Sequence, residues 1–182
     1  MLKMTVVAVV GSKSSGKTTT IEVLTKELTK RGYKVAVVKH IPEQNFTIDT
    51  EGKDTWRFAQ SGAKTIVSVA SGEIATIEKV DVSSFLLEEI LQKCRGNDLV
   101  FLEGFRKLVD KNRDIPKIVA AKSAKEALEA SKFFVSILAF TGPYSTETLN
   151  LNAPHIDVLR NPEKIADMVE KIVRKRLRKA YS

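Results

Sequence analysis

Gly11-Ser12-Lys13-Ser14-Ser15-Gly16-Lys17-Thr18 fits the pattern G-x-x-x-x-G-K-[ST], the spacing of a loop that wraps a phosphate. Gly11 and Gly16 let the backbone turn tightly enough for successive N–H groups to converge on one anion. A helix starting near Lys17 would add its unpaired N–H groups and the positive end of its dipole. Lys17 would place an ammonium by the terminal phosphates, and the Thr18 hydroxyl would ligate Mg2+. Ser12, Lys13, Ser14, Ser15 and Thr19 complete the candidate nucleotide-binding stretch, with Lys13 reading chiefly as a solvated loop residue.

Such a loop needs an acidic group near the metal, at the C-terminal end of a neighbouring buried strand. Glu103 has that position, directly after the apolar Leu99-Val100-Phe101-Leu102, and Gly104 would let the backbone approach the phosphates. Asp49 and Asp54 lie in a polar stretch where a metal-linked switch could sit. Asp49 is the better metal candidate, because Asp54 equally fits a plain helix cap. His40 ends a strand as Lys39-His40, and both it and His155 read as structural rather than as parts of a triad or zinc site. Cys94 and the Trp56/Phe58 pair read as packing residues. Arg57 and Arg106 are the candidates for an arginine finger, and no residue stands out as a strong general base.

The elements that must position these groups alternate between two periods. Met4–Val10 is a near-continuous β-branched run, the pattern of a strand buried on both faces. Lys17–Arg31 carries Ile21, Leu24 and Leu28 at helical spacing and stops at Gly32. Strands follow at Lys34–Lys39, Lys64–Ala70, Glu73–Ile77, Asp98–Leu102, Ile115–Ala121 and Phe133–Phe140, with a hairpin turn at Ser71-Gly72. Helices are expected at Asp54–Gly62, at Val82–Cys94 with Phe85, Leu86, Ile90 and Leu87 inward, and at Ser123–Ala130. Asn161-Pro162 opens a last helix whose apolar stripe runs Ile165, Val169, Ile172, Val173, Leu177. Alternation of this kind implies an α/β fold, a mostly parallel central sheet flanked by helices, P-loop NTPase-like, as a single domain over residues 1–182.

The 182 residues carry 30 Lys+Arg against 22 Asp+Glu, a net charge of +8. Residues 171–182 hold six basic and no acidic residues, so residues 1–170 carry only +2. The excess sits on one helix whose apolar stripe packs it against the sheet, which argues against a nucleic-acid partner. One cysteine excludes an internal disulfide framework and fits a reducing compartment. No apolar run approaches membrane-spanning length, and no small-residue cleavage site follows the opening apolar stretch, so a cytoplasmic protein is expected.

Taken in order, the loop and helix GSKSSGKTTTIEVLTKELTKRGYKVAVVKH, the block FTIDTEGKDTWRFAQSGA and the block DLVFLEGFRK followed by IPKIV resemble the molybdopterin-guanine dinucleotide biosynthesis protein B (MobB) family. The matching blocks span roughly residues 4–70 and 98–120. The resemblance implies an accessory protein that binds GTP and Mg2+ and assists a molybdenum cofactor guanylyltransferase. It further implies a homodimer, with a molybdopterin-type cofactor among the candidate partners; GTP hydrolysis is expected to be weak at most, because no residue is an obvious general base or arginine finger. Gly11, Gly16, Lys17 and Thr18 would then bind phosphate and Mg2+, Glu103 would be the strand-end acid, and Asp49 and Asp54 would match the acidic loop. Two features depart from the pattern: Ile41–Asn45 lacks the extra histidines, and no N-K-x-D guanine signature follows the late strands. Ala139-Phe140-Thr141-Gly142 occupies the base-contact position instead. A small-molecule kinase or ligase using ATP on the same fold is the alternative reading.

Overall fold

The computed structural model describes residues 4–43, 45–81, 86–144 and 150–180. The elements run β1 (Thr5–Val10), α1 (Lys17–Lys30), β2 (Val35–Lys39), α2 (Asp54–Gln60), β3 (Thr65–Val69), β4 (Ile74–Glu78) and α3 (Leu87–Lys93). They continue with β5 (Leu99–Glu103), α4 (Arg106–Val109), β6 (Lys117–Ala120), α5 (Ala124–Phe133), β7 (Ile137–Thr141) and α6 (Pro162–Ala180). The chain folds into two compact units, Met1–His40 with Ile90–Ser182, and Ile41–Glu89.

The larger unit is a sheet of order β2-β5-β1-β6-β7 in which every neighbouring pair is parallel. Each residue of β1 is buried, as its unbroken apolar run requires of a strand covered on both faces. Val7 and Val9 point to one face, where they join Ile21, Leu24 and Leu28 of α1 and Ile165, Ala166, Val169 and Val173 of α6 in one core. Val6, Ala8 and Val10 are buried on the other face. Burying each large aliphatic side chain contributes about 1.5–3 kcal/mol, so this two-faced core fixes the positions of the strand ends. Strand β1 lies between β5 and β6, so the loop after it leaves the sheet at a topological switch point, where such sheets bind ligands.

The smaller unit holds α2 and an antiparallel hairpin, β3–β4, closed by the Ala70 N–H donating to the Glu73 carbonyl at 2.8 Å. The turn is the expected Ser71-Gly72. Ile66 is its one buried core hydrophobic among the described residues.

Several expectations need correction. Helix α2 is capped by Lys53 with no side-chain bond, so Asp54 is the first helical residue and not the cap. The described helix before β5 begins at Leu87, and Val82–Phe85 lie outside the described residues. Leu86 is 61% exposed, and the inward stripe runs through Leu91 and Cys94, three residues apart on one face. Phe133 belongs to α5, not to the following strand, because the chain breaks at Ser136, whose φ of 53° interrupts any extended run. The short helix α4 follows Gly104 and Phe105, both at positive φ, and has no apolar period to announce it.

Lys117 is a charged residue inside the sheet, fully buried, with its ammonium donating to the Asn112 carbonyl. Burial lowers its pKa, against the opposing pull of Asp110. In the window just below the free-lysine value the unfolded chain therefore holds a proton that the folded chain has released, so folding gains stability as pH rises. Urea titrations from neutral to alkaline pH should show this rise, and Lys117→Met should flatten it. Ile165→Ala in the α6 stripe should cost about 2–5 kcal/mol. Lys171→Ala on the exposed side should stay within about 0.5 kcal/mol of the parent.

Candidate functional site: a glycine-rich loop and a strand-end carboxylate

The loop is shaped by two residue types that its motif demands. A Cβ on Gly11 would collide with the Ala120 carbonyl oxygen at the end of β6 and with the Ser15 hydroxyl, so only glycine fits. Gly16 stands at φ 91°, a left-handed conformation that side chains disfavour, and forms the N-cap of α1 without a side-chain cap bond. The first N–H groups of α1 accordingly face the loop with no capping side chain. Ser14 also has positive φ, at 58°. Ser15 is 6% exposed, and its buried hydroxyl has no hydrogen-bond partner, so the loop keeps a polar group in reserve.

Lys17, Thr18 and Glu103 come together at the C-terminal edge of the sheet. The Lys17 ammonium donates to the Ser12 carbonyl at 2.6 Å, which holds the charge across the loop. Burial is the main influence on its pKa and lowers it; Glu103 opposes that shift, while Lys39 and Lys122 add to it. The Thr18 hydroxyl lies 3.2 Å from both oxygens of the Glu103 carboxylate. Glu103 is 8% exposed, and its backbone is held by the parallel ladder to Val9 on one side and Lys39 on the other. One hydroxyl oxygen beside one carboxylate, next to a loop of N–H donors, fits Mg2+, which binds through one or two protein oxygens together with phosphates.

Three residues at this edge were not legible as site residues. Lys39 reaches Glu103 at 3.4 Å across the strand pair. Glu126 accepts from the Ser12 hydroxyl at 3.2 Å and from the Lys122 N–H at 3.0 Å, and pairs with the Lys122 ammonium at 3.5 Å. The Lys122 N–H is the largest cause of a lowered Glu126 pKa. The sequence did carry one signal, Ser123-Ala124-Lys125-Glu126, a capping-box pattern, and Ser123 caps α5 by accepting from the Glu126 N–H.

The remaining candidates fall elsewhere. Lys13 and Thr19 are exposed. In the smaller unit, Asp49 accepts from the Thr50 N–H at 2.9 Å and the Thr55 hydroxyl at 2.7 Å, while its other oxygen is buried without a partner. Asp54 is exposed and pairs with Arg57 at 3.6 Å. Trp56 is half-buried, whereas Phe58 is exposed, contrary to a packing role. The Arg106 guanidinium sits 4.4 Å from the centre of the Phe133 ring and so packs α4 against the end of α5. The His40 and Phe105 ring centres lie 5.3 Å apart, and His155 bonds the Gly142 carbonyl at 3.0 Å while its ring lies tilted against Tyr144, centres 4.4 Å apart. Burial raises the pKa of the Cys94 thiol, away from nucleophile chemistry.

Residues 6–141 match the model of a protein family described as MobB, molybdopterin guanine dinucleotide synthesis protein B. The molybdopterin-guanine dinucleotide biosynthesis adapter protein of Haemophilus influenzae is 32% identical over 166 residues, covering 89% of this chain and 85% of that protein. A Methanocaldococcus jannaschii protein, under a provisional form of the same name, is 38% identical over 120 residues. The aligned part is 65% of this chain and 48% of that relative, so the chain spans about half its length. Among solved structures, Bacillus subtilis MobB superposes with a TM-score of 0.67 at 27% identity, covering 92% of this chain and 97% of that one. No described helix is long and apolar enough to cross a membrane.

The geometry of the loop yields a direct test. Gly11→Ala should destabilise the protein by about 1–3 kcal/mol through overpacking against Ala120 and Ser15. Gly72→Ala, where an added Cβ meets nothing within 4 Å, should stay within about 0.5 kcal/mol in the same thermal or urea denaturation experiment.

Proposed function

The chain belongs to the MobB family of molybdopterin guanine dinucleotide synthesis proteins, and from that premise we propose that it binds GTP with Mg2+ through Gly11–Thr19 as an adapter to a guanylyltransferase. The observation that carries the reading is the meeting of Lys17, Thr18 and Glu103 beside a loop that tolerates only glycine at position 11. In this reading the loop N–H groups and Lys17 bind the phosphate chain, and Thr18 and Glu103 hold the metal. Bound Mg2+ would supply neutralising charge to the phosphate oxygens. Asp49, which keeps one buried oxygen without a hydrogen-bond partner inside the smaller unit, is proposed separately as a metal ligand there.

Weak turnover suits the same residues. Glu103 is given over to Thr18 and the metal, and the two candidate arginines are engaged with Asp54 and Phe133. A protein that holds nucleotide and hydrolyses it slowly is suited to delivering or sensing it. The molybdopterin-type substrate belongs to the guanylyltransferase partner. A homodimer is part of the proposal, and the hairpin supports it: Val67, Val69 and Ile74 share one face and are 56%, 75% and 70% exposed.

The reading is tested by competing labelled GTP against ATP, with and without Mg2+. GTP should bind more tightly than ATP, Mg2+ should strengthen it, and Lys17→Ala should weaken it by about tenfold or more. Equal binding by Lys17→Ala would contradict the reading, and ATP turnover that rises with a small acceptor would favour the kinase or ligase alternative.

A further inference from the structure

Lys39 is a cation at the site that the loop motif does not require. It ends β2 in register with Glu103, so the two side chains leave adjacent strands side by side. The His40 N–H donates to the Glu103 carbonyl at 3.0 Å and the Gly104 N–H to the Val9 carbonyl at 3.1 Å, so the backbone around the carboxylate is clamped from both neighbouring strands. The pair is asymmetric. The Lys39 side chain is 53% exposed and the Glu103 side chain 10%, which makes the lysine the partner that can leave.

We propose that Lys39 is the resident counter-ion of Glu103, that a divalent cation must displace it, and that the displaced ammonium then takes the terminal phosphate of the bound nucleotide. The proposal rests on the reading of this loop as a metal–nucleotide site. Oε1 of Glu103 already meets both Lys39 at 3.4 Å and Thr18 at 3.2 Å. A metal ion between Thr18 and Glu103 would bring a second cation onto the same carboxylate, and like charges at that distance repel. The lysine has a flexible stem and a compact head, so it can swing without moving β2. In its paired position the Lys39 ammonium is already within electrostatic reach of Lys17, so it needs only a short swing from Glu103 to face a phosphate held by the loop. Glu103 thus exchanges one cation for another, and the edge of the sheet remains near neutrality as the anionic ligand arrives.

The test is a Mg2+ titration of labelled GTP and GDP binding to the full chain, comparing the parent with Lys39→Met and Lys39→Arg. Removing the competitor should lower the Mg2+ midpoint of Lys39→Met by about two- to fivefold. At saturating Mg2+ the same variant should bind GTP more weakly while GDP affinity stays at the parent value. Lys39→Arg, which keeps the charge, should hold the parent midpoint. An unchanged or raised midpoint in Lys39→Met, with an intact circular dichroism spectrum, would overturn the displacement. Unchanged GTP affinity, or equal losses for GTP and GDP, would overturn the transfer to the terminal phosphate. If the parent itself shows no Mg2+-dependent GTP binding, the underlying functional reading fails and the proposal with it, a result distinct from a midpoint that does not move.

Discussion

A carboxylate that is nearly buried at the end of a sheet strand has to be matched by cations and donors, and at Glu103 that requirement organises the surrounding edge. Thr18 is aimed at it from the first turn of α1, and Lys39 comes to it from β2. The strand itself is anchored by four apolar residues that are all fully buried, so the carboxylate cannot relax toward water. The core places this charge where the loop presents its N–H groups. The same sheet carries Ala120, whose carbonyl sits where any side chain at position 11 would go, so the shape of the loop and the position of the acid are set by one packed layer.

Charged groups end or follow four adjacent strands at this edge. Lys39 stands at the end of β2 and Glu103 at the end of β5; the loop with Lys17 follows β1, and Lys122 with Glu126 follows β6. An anionic ligand entering here meets cations on both sides of the loop and one fixed carboxylate that needs a counter-ion. That pattern favours a ligand bringing a metal with it over a bare anion. Glu126 has a supporting part, tying the start of α5 to Ser12 and so fixing the loop from the β6 side.

Much of this was legible in the sequence because it is local. The loop, its flanking strand and helix, and the strand-end position of Glu103 are all readable from short spacings, and so was the α6 stripe, whose Ile165, Val169 and Val173 are fully buried. What stayed hidden depends on strand order. Lys39 lies 64 residues before Glu103, and only the pairing of β2 with β5 makes them neighbours. Glu126 is likewise separated from Ser12 by 114 residues and meets it because β6 lies beside β1. Boundary errors had local causes: a positive φ at Ser136 moved Phe133 out of its strand, and α3 buries only Leu91, too thin a stripe to fix its register from sequence.

The central claim is that Thr18 and Glu103 form the protein's half of a metal site that the nucleotide completes. Electron paramagnetic resonance of Mn2+ added to the protein measures this directly, since bound and free ions give distinct signals. A tightly bound population should appear only when GTP is present, and both Thr18→Val and Glu103→Gln should return the spectrum to that of Mn2+ with GTP in buffer. Tight Mn2+ binding that is indifferent to GTP, or that survives both substitutions in folded protein, would contradict the account.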